Sequence, residues 1–216
     1  MPAIISQALF SIAQTSSSNR AWRSDASGTL QKKLKKYLAN PNIDVWMSDE
    51  VHFQLYGSTC GMWIPPEIKD PILLHHPTRE STGYFGAVRL RDGKFAYQRE
   101  DDSFNGETFF SFLKYVRRIS RRSGRKVVLV LDNARYHHAK LHREWRKKNA
   151  SEFKIEYLPA YSPELNMIER TWKLTRRRCL HNQYFPSLEN VAESVEELFV
   201  SWKKPNETLR KLCAFS

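Results

Sequence analysis

Cysteine is scarce. Cys60, Cys179 and Cys213 are the only three in 216 residues, widely spaced and odd in number. That excludes a disulfide framework, and no pair has the short spacing of a zinc knuckle. A reducing compartment fits best. Long apolar runs are also missing. The opening MPAIISQALFSIAQ is too short to span a bilayer and lacks the basic start of a secretory signal. A soluble, cytoplasmic chain with no membrane partner is therefore expected. There is no internal repeat. Acidic residues are in deficit, with 23 Asp and Glu against 35 Lys and Arg, giving a formal net charge of +12. Such an imbalance favours a polyanionic partner, most often nucleic acid, and for such a partner association with the nucleoid. What is present, 41% hydrophobic and 12% aromatic residues, suffices for the core of one ordinary domain.

Residues 1–40 read as an N-terminal arm or linker, partly disordered. They include the Ser-rich piece QTSSSNRAWRSDASG and a short basic helix, LQKKLKKYLAN, that ends at Pro41. Residues 41–216 read as the organised domain. NIDVWMSDEVHFQL has the β-branched and aromatic content of a strand. By its period of two, Val45, Met47, Asp49, Val51 and Phe53 share one face, and Trp46, Ser48, Glu50 and His52 the other. A carboxylate on the mainly apolar face is costly unless something compensates it. TGYFGAVRL and KFAYQRE, joined through Asp92-Gly93, form a hairpin. A helix from about Gly106 places Phe109, Phe112, Leu113, Val116 and Ser120 on one stripe, and its basic end before Gly124 suits the helix C-terminus. KVVLVLDN is apolar throughout, as in a strand covered on both faces. HHAKLHREWRKKN reads as a helix, KIEYLP as a strand, and Ser187 caps a last amphipathic helix that Pro205 stops. The fold class is α/β, a mixed sheet of about five strands flanked by helices.

Three acids stand out by position. Asp49 lies within the first strand, Asp132 ends the buried strand, and Glu169 opens a helix after the next one. Strand ends in an open α/β sheet form the usual ligand crevice. Carboxylates clustered there would raise one another's pKa unless a cation intervened, and hard oxygen donors suit Mg²⁺ or Mn²⁺. Each acid also has a plainer reading, the aspartates as turn or cap residues and Glu169 as a first-turn helix acid. On the residues alone the two readings stand about level.

DVWMSDEVHF, VLVLDNARYHHA and LPAYSPELNMIERTWK resemble the three signature blocks of bacterial insertion-sequence transposases of the Tc/mariner superfamily, over roughly Ile43 to Trp202. SPELN followed by IER.W is the most specific of these. The resemblance implies a ribonuclease-H-like catalytic domain with the triad Asp49, Asp132 and Glu169, which would hold two Mg²⁺ ions, Mn²⁺ substituting. The implied reaction is cleavage at transposon ends and strand transfer into target DNA. Thirty-six residues separate Asp132 from Glu169, a slightly long gap, and Met167 stands where proline is common. The 48 residues before Asp49 contain no helix pair, so the helix-turn-helix modules that read element ends are expected from a partner chain or an upstream reading frame. The resemblance also implies double-stranded DNA as partner and a homodimer in the DNA complex. An inactive remnant that binds DNA non-specifically, or another ribonuclease-H-like nuclease, are the alternatives.

Asn133 and His137, in the second block, are expected to line the site. A cap role for Asn133 is equally open. Glu50 should face away from Asp49 and make a structural bond. His138 and His142 are expected to be solvated on a helix. Arg170, Lys173, Arg176, Arg177 and Arg178 offer a basic stripe for DNA phosphates, with a solvated face as the plainer reading. Trp172 should pack in the core.

Overall fold

The computed structural model describes residues 28–56, 58–61, 67, 72, 74, 77–160, 162 and 165–215. The arm before residue 28 and Trp63 lie outside these.

Five strands form one sheet: β1 (Ile43–Gln54), β2 (Ser81–Arg89), β3 (Phe95–Glu100), β4 (Lys126–Leu131) and β5 (Phe153–Tyr157). Their order is β3-β2-β1-β4-β5. The pairs β1/β2 and β2/β3 are antiparallel, and β1/β4 and β4/β5 parallel. The hairpin turn falls where it was expected, with Gly93 at φ 70°.

Two apolar layers follow the strand alternation. On one face Trp46, Phe85, Leu129 and Leu131 pack against α2 (Gly106–Ser120). The residues of α2 that are buried are Phe109, Phe112, Leu113, Val116 and Ser120, the stripe read from sequence. Asn105 caps the helix through a reciprocal side-chain and backbone exchange. On the other face Val45, Met47, Val51 and Phe53 pack against α4 (Glu169–Thr175) and α5 (Leu188–Ser201). Ser187 caps α5 as expected. A short α6 (Glu207–Leu212), capped by Asn206, had no counterpart in the sequence reading. Six residues give too little periodicity to detect.

The basic helix over residues 28–39, α1, was grouped with the arm, yet it packs as part of the domain. Leu30 and Leu34 enter the core. Glu156 of β5 accepts from Tyr37 (2.7 Å) and pairs with Lys33 (2.8 Å). The apolar i, i+4 pair decides this, because exposing it would forfeit burial. HHAKLHREWRKKN is the other departure. It forms two 3₁₀ turns (Arg135–His138 and Lys140–His142) and then a short α3 (Arg143–Lys148). Ala139, at ψ 141°, breaks the path. His142 consequently turns inward, fully buried against Phe109, instead of facing solvent.

Asp44 is an acid that the sequence reading passed over. It is fully buried and held by Arg89 (3.1 Å) and Arg91 (2.9 Å), so its charge is compensated at the closed end of the sheet. The three cysteines are unpaired, Cys179 and Cys213 being buried. Among the described residues no helix is long and apolar enough to cross a membrane.

Candidate active site

The register of β1 against β4 brings the first two acids together. Met47 lies beside Val130 in this parallel pair, and two residues further on each strand stand Asp49 and Asp132. Both then project to the α4 face, from neighbouring strands ~4.8 Å apart. Glu169 opens α4 on that face. All three acids line one cavity of about 390 Å³, together with Asn133, Ser162 and Asn166.

Asp49 is set in a largely apolar wall. Trp172 Nε1 donates to its Oδ2 (3.1 Å). Burial pushes the carboxyl up to about 7, the Glu50 and Glu169 charges add to this, and the Trp172 bond partly offsets it. Trp172 is buried in the core as expected, but no local pattern signals that its indole holds an acid. Its ring lies over Gly86, the β2 partner of Asp49. A Cβ at Gly86 would come within 2.2 Å of the indole. Gly86→Ala is therefore expected to cost about 1–3 kcal/mol by overpacking, roughly 2–4 °C in melting temperature per kcal/mol. It should also impair cleavage by displacing the Asp49 donor. Cleavage at the wild-type rate would show that Trp172 does not position Asp49.

Asp132 is held differently. Its Oδ1 accepts from the Ala134 backbone N–H (3.1 Å) and from His137 Nδ1 (3.0 Å). The His137 bond outweighs the effect of burial and holds this carboxyl below the usual range. Across the ring, Nε2 meets Glu50 Oε1 (3.1 Å). Burial by itself would lower the histidine, but its bonds to Asp132 and Glu50 prevail and push it up to about 9. A buried imidazolium thus bridges the two carboxylates. The ligand atoms of Glu50, Asp132 and His137 lie within 4.8 Å of one another, close enough to hold a metal ion. Their hydrogen bonding instead satisfies them as an ion-paired strap, so His137 stands behind Asp132 rather than at the cavity lining. Glu50 takes the opposite face from Asp49 and makes the structural bond expected of it.

Asn133 lines the cavity and also bonds His138, whose ring stacks on Tyr157. His138 stays exposed at the end of its 3₁₀ turn, as expected, while His142 does not. Asn166, in the SPELN block, was missed as a candidate. It is 7% exposed, lines the cavity, and its Oδ1 has no partner among the described residues. The backbone carbonyl of the same residue accepts from Glu169 N–H (3.2 Å), which ties the SPELN block to the start of α4. A buried amide oxygen without a partner costs about 1–3 kcal/mol unless a ligand satisfies it.

The five basic residues expected on the DNA side separate. Arg170 donates to the Leu212 carbonyl (2.9 Å), tying α4 to the C-terminal segment. Arg176 lies over the Phe53 ring, 5.6 Å from its centroid. Arg170, Lys173, Arg177 and Arg178 are exposed and Arg176 is half-buried. After Thr175 the helix continues as a π turn (Arg176–Leu180), which shifts the stripe out of its α register.

The strand order, with Asp49 inside β1 and Asp132 just past the end of β4 on one face, defines a ribonuclease-H-like domain. The sequence model of the DDE superfamily endonucleases matches residues 44–192, and the chain belongs to that family. It is also similar to the "Insertion element IS630 uncharacterized 39 kDa protein" of Shigella sonnei, at 29% identity over 94 residues, covering 44% of this chain and 27% of that protein. The fold is shared with the Mos1 transposase in its paired-end complex with the left transposon end (TM-score 0.65, 18% identity, 88% of this chain and 56% of that one). It is shared as well with the Mos1 catalytic domain solved with raltegravir and Mg (TM-score 0.60, 16% identity, 88% and 86%). The chain thus spans about a quarter of the insertion-element protein and just over half of the Mos1 chain in the paired-end complex.

Proposed function

We propose that this chain is the catalytic domain of an insertion-sequence transposase that cleaves DNA phosphodiesters at element ends and transfers the strand to target DNA. The observation that carries this is the meeting of Asp49, Asp132 and Glu169, remote in sequence, around one cavity. The donor set fits a divalent metal. Three carboxylates supply hard oxygens, and the Asp49 carboxyl, raised first by burial and then by the Glu50 and Glu169 charges, is one that a bound cation would stabilise in its ionised form. Two Mg²⁺ ions, or Mn²⁺ in their place, would be held by these acids and supply activation of the attacking hydroxyl and neutralisation of the leaving oxygen. The protein's own part is placement. Trp172 orients Asp49, the Glu50–His137 strap fixes Asp132, and the Asn166 backbone anchors Glu169. Lys173, Arg177 and Arg178, all exposed, would grip the backbone of the bound duplex.

The remaining partners belong to the same proposal. End recognition by a helix-turn-helix partner chain, or by the product of an upstream reading frame, is part of it. A homodimer on DNA and association with the nucleoid complete the reading.

Nicking of supercoiled plasmid in Mg²⁺ tests it. Glu169→Gln should lower the rate at least ~100-fold while leaving duplex binding in place. Mn²⁺ at about 100 times its Kd should stabilise the wild type by about 2.7 kcal/mol, and the variant far less. Nicking that persists in chelator, or in the variant, would overturn the proposal.

A further inference from the structure

Among the described residues, a cavity larger than the acid-lined one lies elsewhere. About 520 Å³ of open groove runs along β3, the outermost strand of the sheet, between α2 and α5. It shares no lining residue with the acid cavity, which sits beside β1 and β4. The groove is strongly basic, with Arg99, Lys114, Arg118 and Lys203 facing a single carboxylate, Glu196. Glu196 already accepts from Tyr84 Oη (3.1 Å). Arg99 is engaged too, in a fork with Glu189 (2.9 and 2.8 Å).

The other three cations have no carboxylate partner among the described residues. Each rests instead on an aromatic ring. Lys114 Nζ is 4.5 Å from the Phe110 centroid, Arg118 Cζ is 5.5 Å from Tyr115, and Lys203 Nζ is 4.9 Å from Tyr97. A ring holds a cation in place without neutralising it, so the charge stays available to an anion. The strand adds donors. Phe95 N–H points outward, to Trp202 O (2.8 Å). By the alternation of an antiparallel pair, Tyr97 and Arg99 also turn their N–H and C=O groups outward on this edge.

We propose that this groove is a second site for the sugar-phosphate backbone of DNA, separate from the acid cavity. The proposal rests on the transposase reading for the identity of the polyanion. Three cations held on rings without a carboxylate partner, lining one open groove, suit the phosphates of a polyanion. A peptide strand added to β3 would instead need apolar pockets for its alternate side chains, and the walls here are Lys, Arg, Ser, Gln, Tyr and the one Glu.

The test is duplex affinity as a function of salt, measured by fluorescence anisotropy in chelator so that cleavage plays no part. In Lys114→Ala/Arg118→Ala/Lys203→Ala, the slope of log affinity against log salt should fall by about 2–3, roughly 0.9 per lost phosphate contact. Affinity at about 0.1 M salt should fall at least ~10-fold. All three side chains are exposed, so the melting temperature should hold. The charge-preserving variant Lys114→Arg/Arg118→Lys/Lys203→Arg should keep the slope. An unchanged slope in the alanine variant of a protein that still nicks DNA would overturn the groove and leave the transposase reading intact. Salt-dependent binding through the groove in a protein that never nicks would do the reverse. If added acidic peptide protected the β3 amides from hydrogen exchange, and the alanine variant kept the wild-type slope, the groove would be a strand-addition site. If the wild type failed to bind duplex even at low salt, both readings would fall.

Discussion

Asp49→Asn is expected to abolish metal-dependent cleavage and yet raise the melting temperature of the metal-free protein, whereas Asp132→Asn should abolish cleavage and lower it. The two acids sit in one cavity with opposite electrostatics. Burial and the Glu50 and Glu169 charges push Asp49 up to about 7 from 3.8. Below about pH 4 both folded and unfolded chains carry the proton, and the group contributes nothing. As pH rises from there to about 7, the unfolded chain loses its proton first, so the fold loses stability, and the full penalty remains above pH 7. Asparagine has no charge to desolvate and can still accept from Trp172. The gain should be about 1–3 kcal/mol at about pH 8, roughly 2–4 °C per kcal/mol, and should vanish near pH 4. Asp132 is the reverse case. His137 holds its carboxyl low, so it contributes stability above the unfolded value that is lost as pH falls through the folded one. Neutralising it leaves an imidazolium short of a partner. Melting curves of both variants in chelator, across pH, check the pair. Equal shifts of one sign would show that the acids share a single environment.

His137→Ala should be the most damaging change near the site that removes no carboxylate. The ring is 1% exposed and spans Glu50 and Asp132. Its loss leaves Glu50 without its cation and frees Asp132 to rotate. Breaking a buried ion pair costs about 3–5 kcal/mol. Half of the Asp132 side chain is exposed here, so about 2–3 kcal/mol is a better expectation. Cleavage should drop ~100-fold, because a misplacement of about 1 Å costs that much. The sign with pH follows from the ring. A histidine raised from 6.5 to about 9 contributes fully below about pH 6.5, and the contribution disappears as pH rises through about 9. The wild type should therefore lose stability between about pH 6.5 and 9, and the variant should show a flatter profile. Parallel profiles would mean that the strap carries no charge.

Much of the fold was legible because burial and period coincide. The alternation in β1, the continuous apolar run of β4 and the stripe of α2 each satisfy one local rule, and the described structure places those side chains as the rules require. Where two weak local signals competed, the outcome depended on distant contacts. The helix of residues 28–39 read as part of an arm until Leu34 met the sheet. The segment after Asp132 read as one helix, but Ala139 breaks it so that His137 can reach Glu50, 87 residues away in sequence. Arg170, while still exposed, bonds the Leu212 carbonyl for the same reason.

The sequence by itself determined the family, the alternation that puts Asp49 on the apolar face, and the three blocks that carry the acids, since these depend on neighbours a few residues apart. Only the tertiary structure decided how each acid is held. The Trp172 donor on Asp49, the imidazolium behind Asp132 and the unpaired Asn166 oxygen are contacts between segments far apart along the chain. No local period encodes them, because their energy comes from burial and hydrogen-bond geometry that exist only after the sheet has closed.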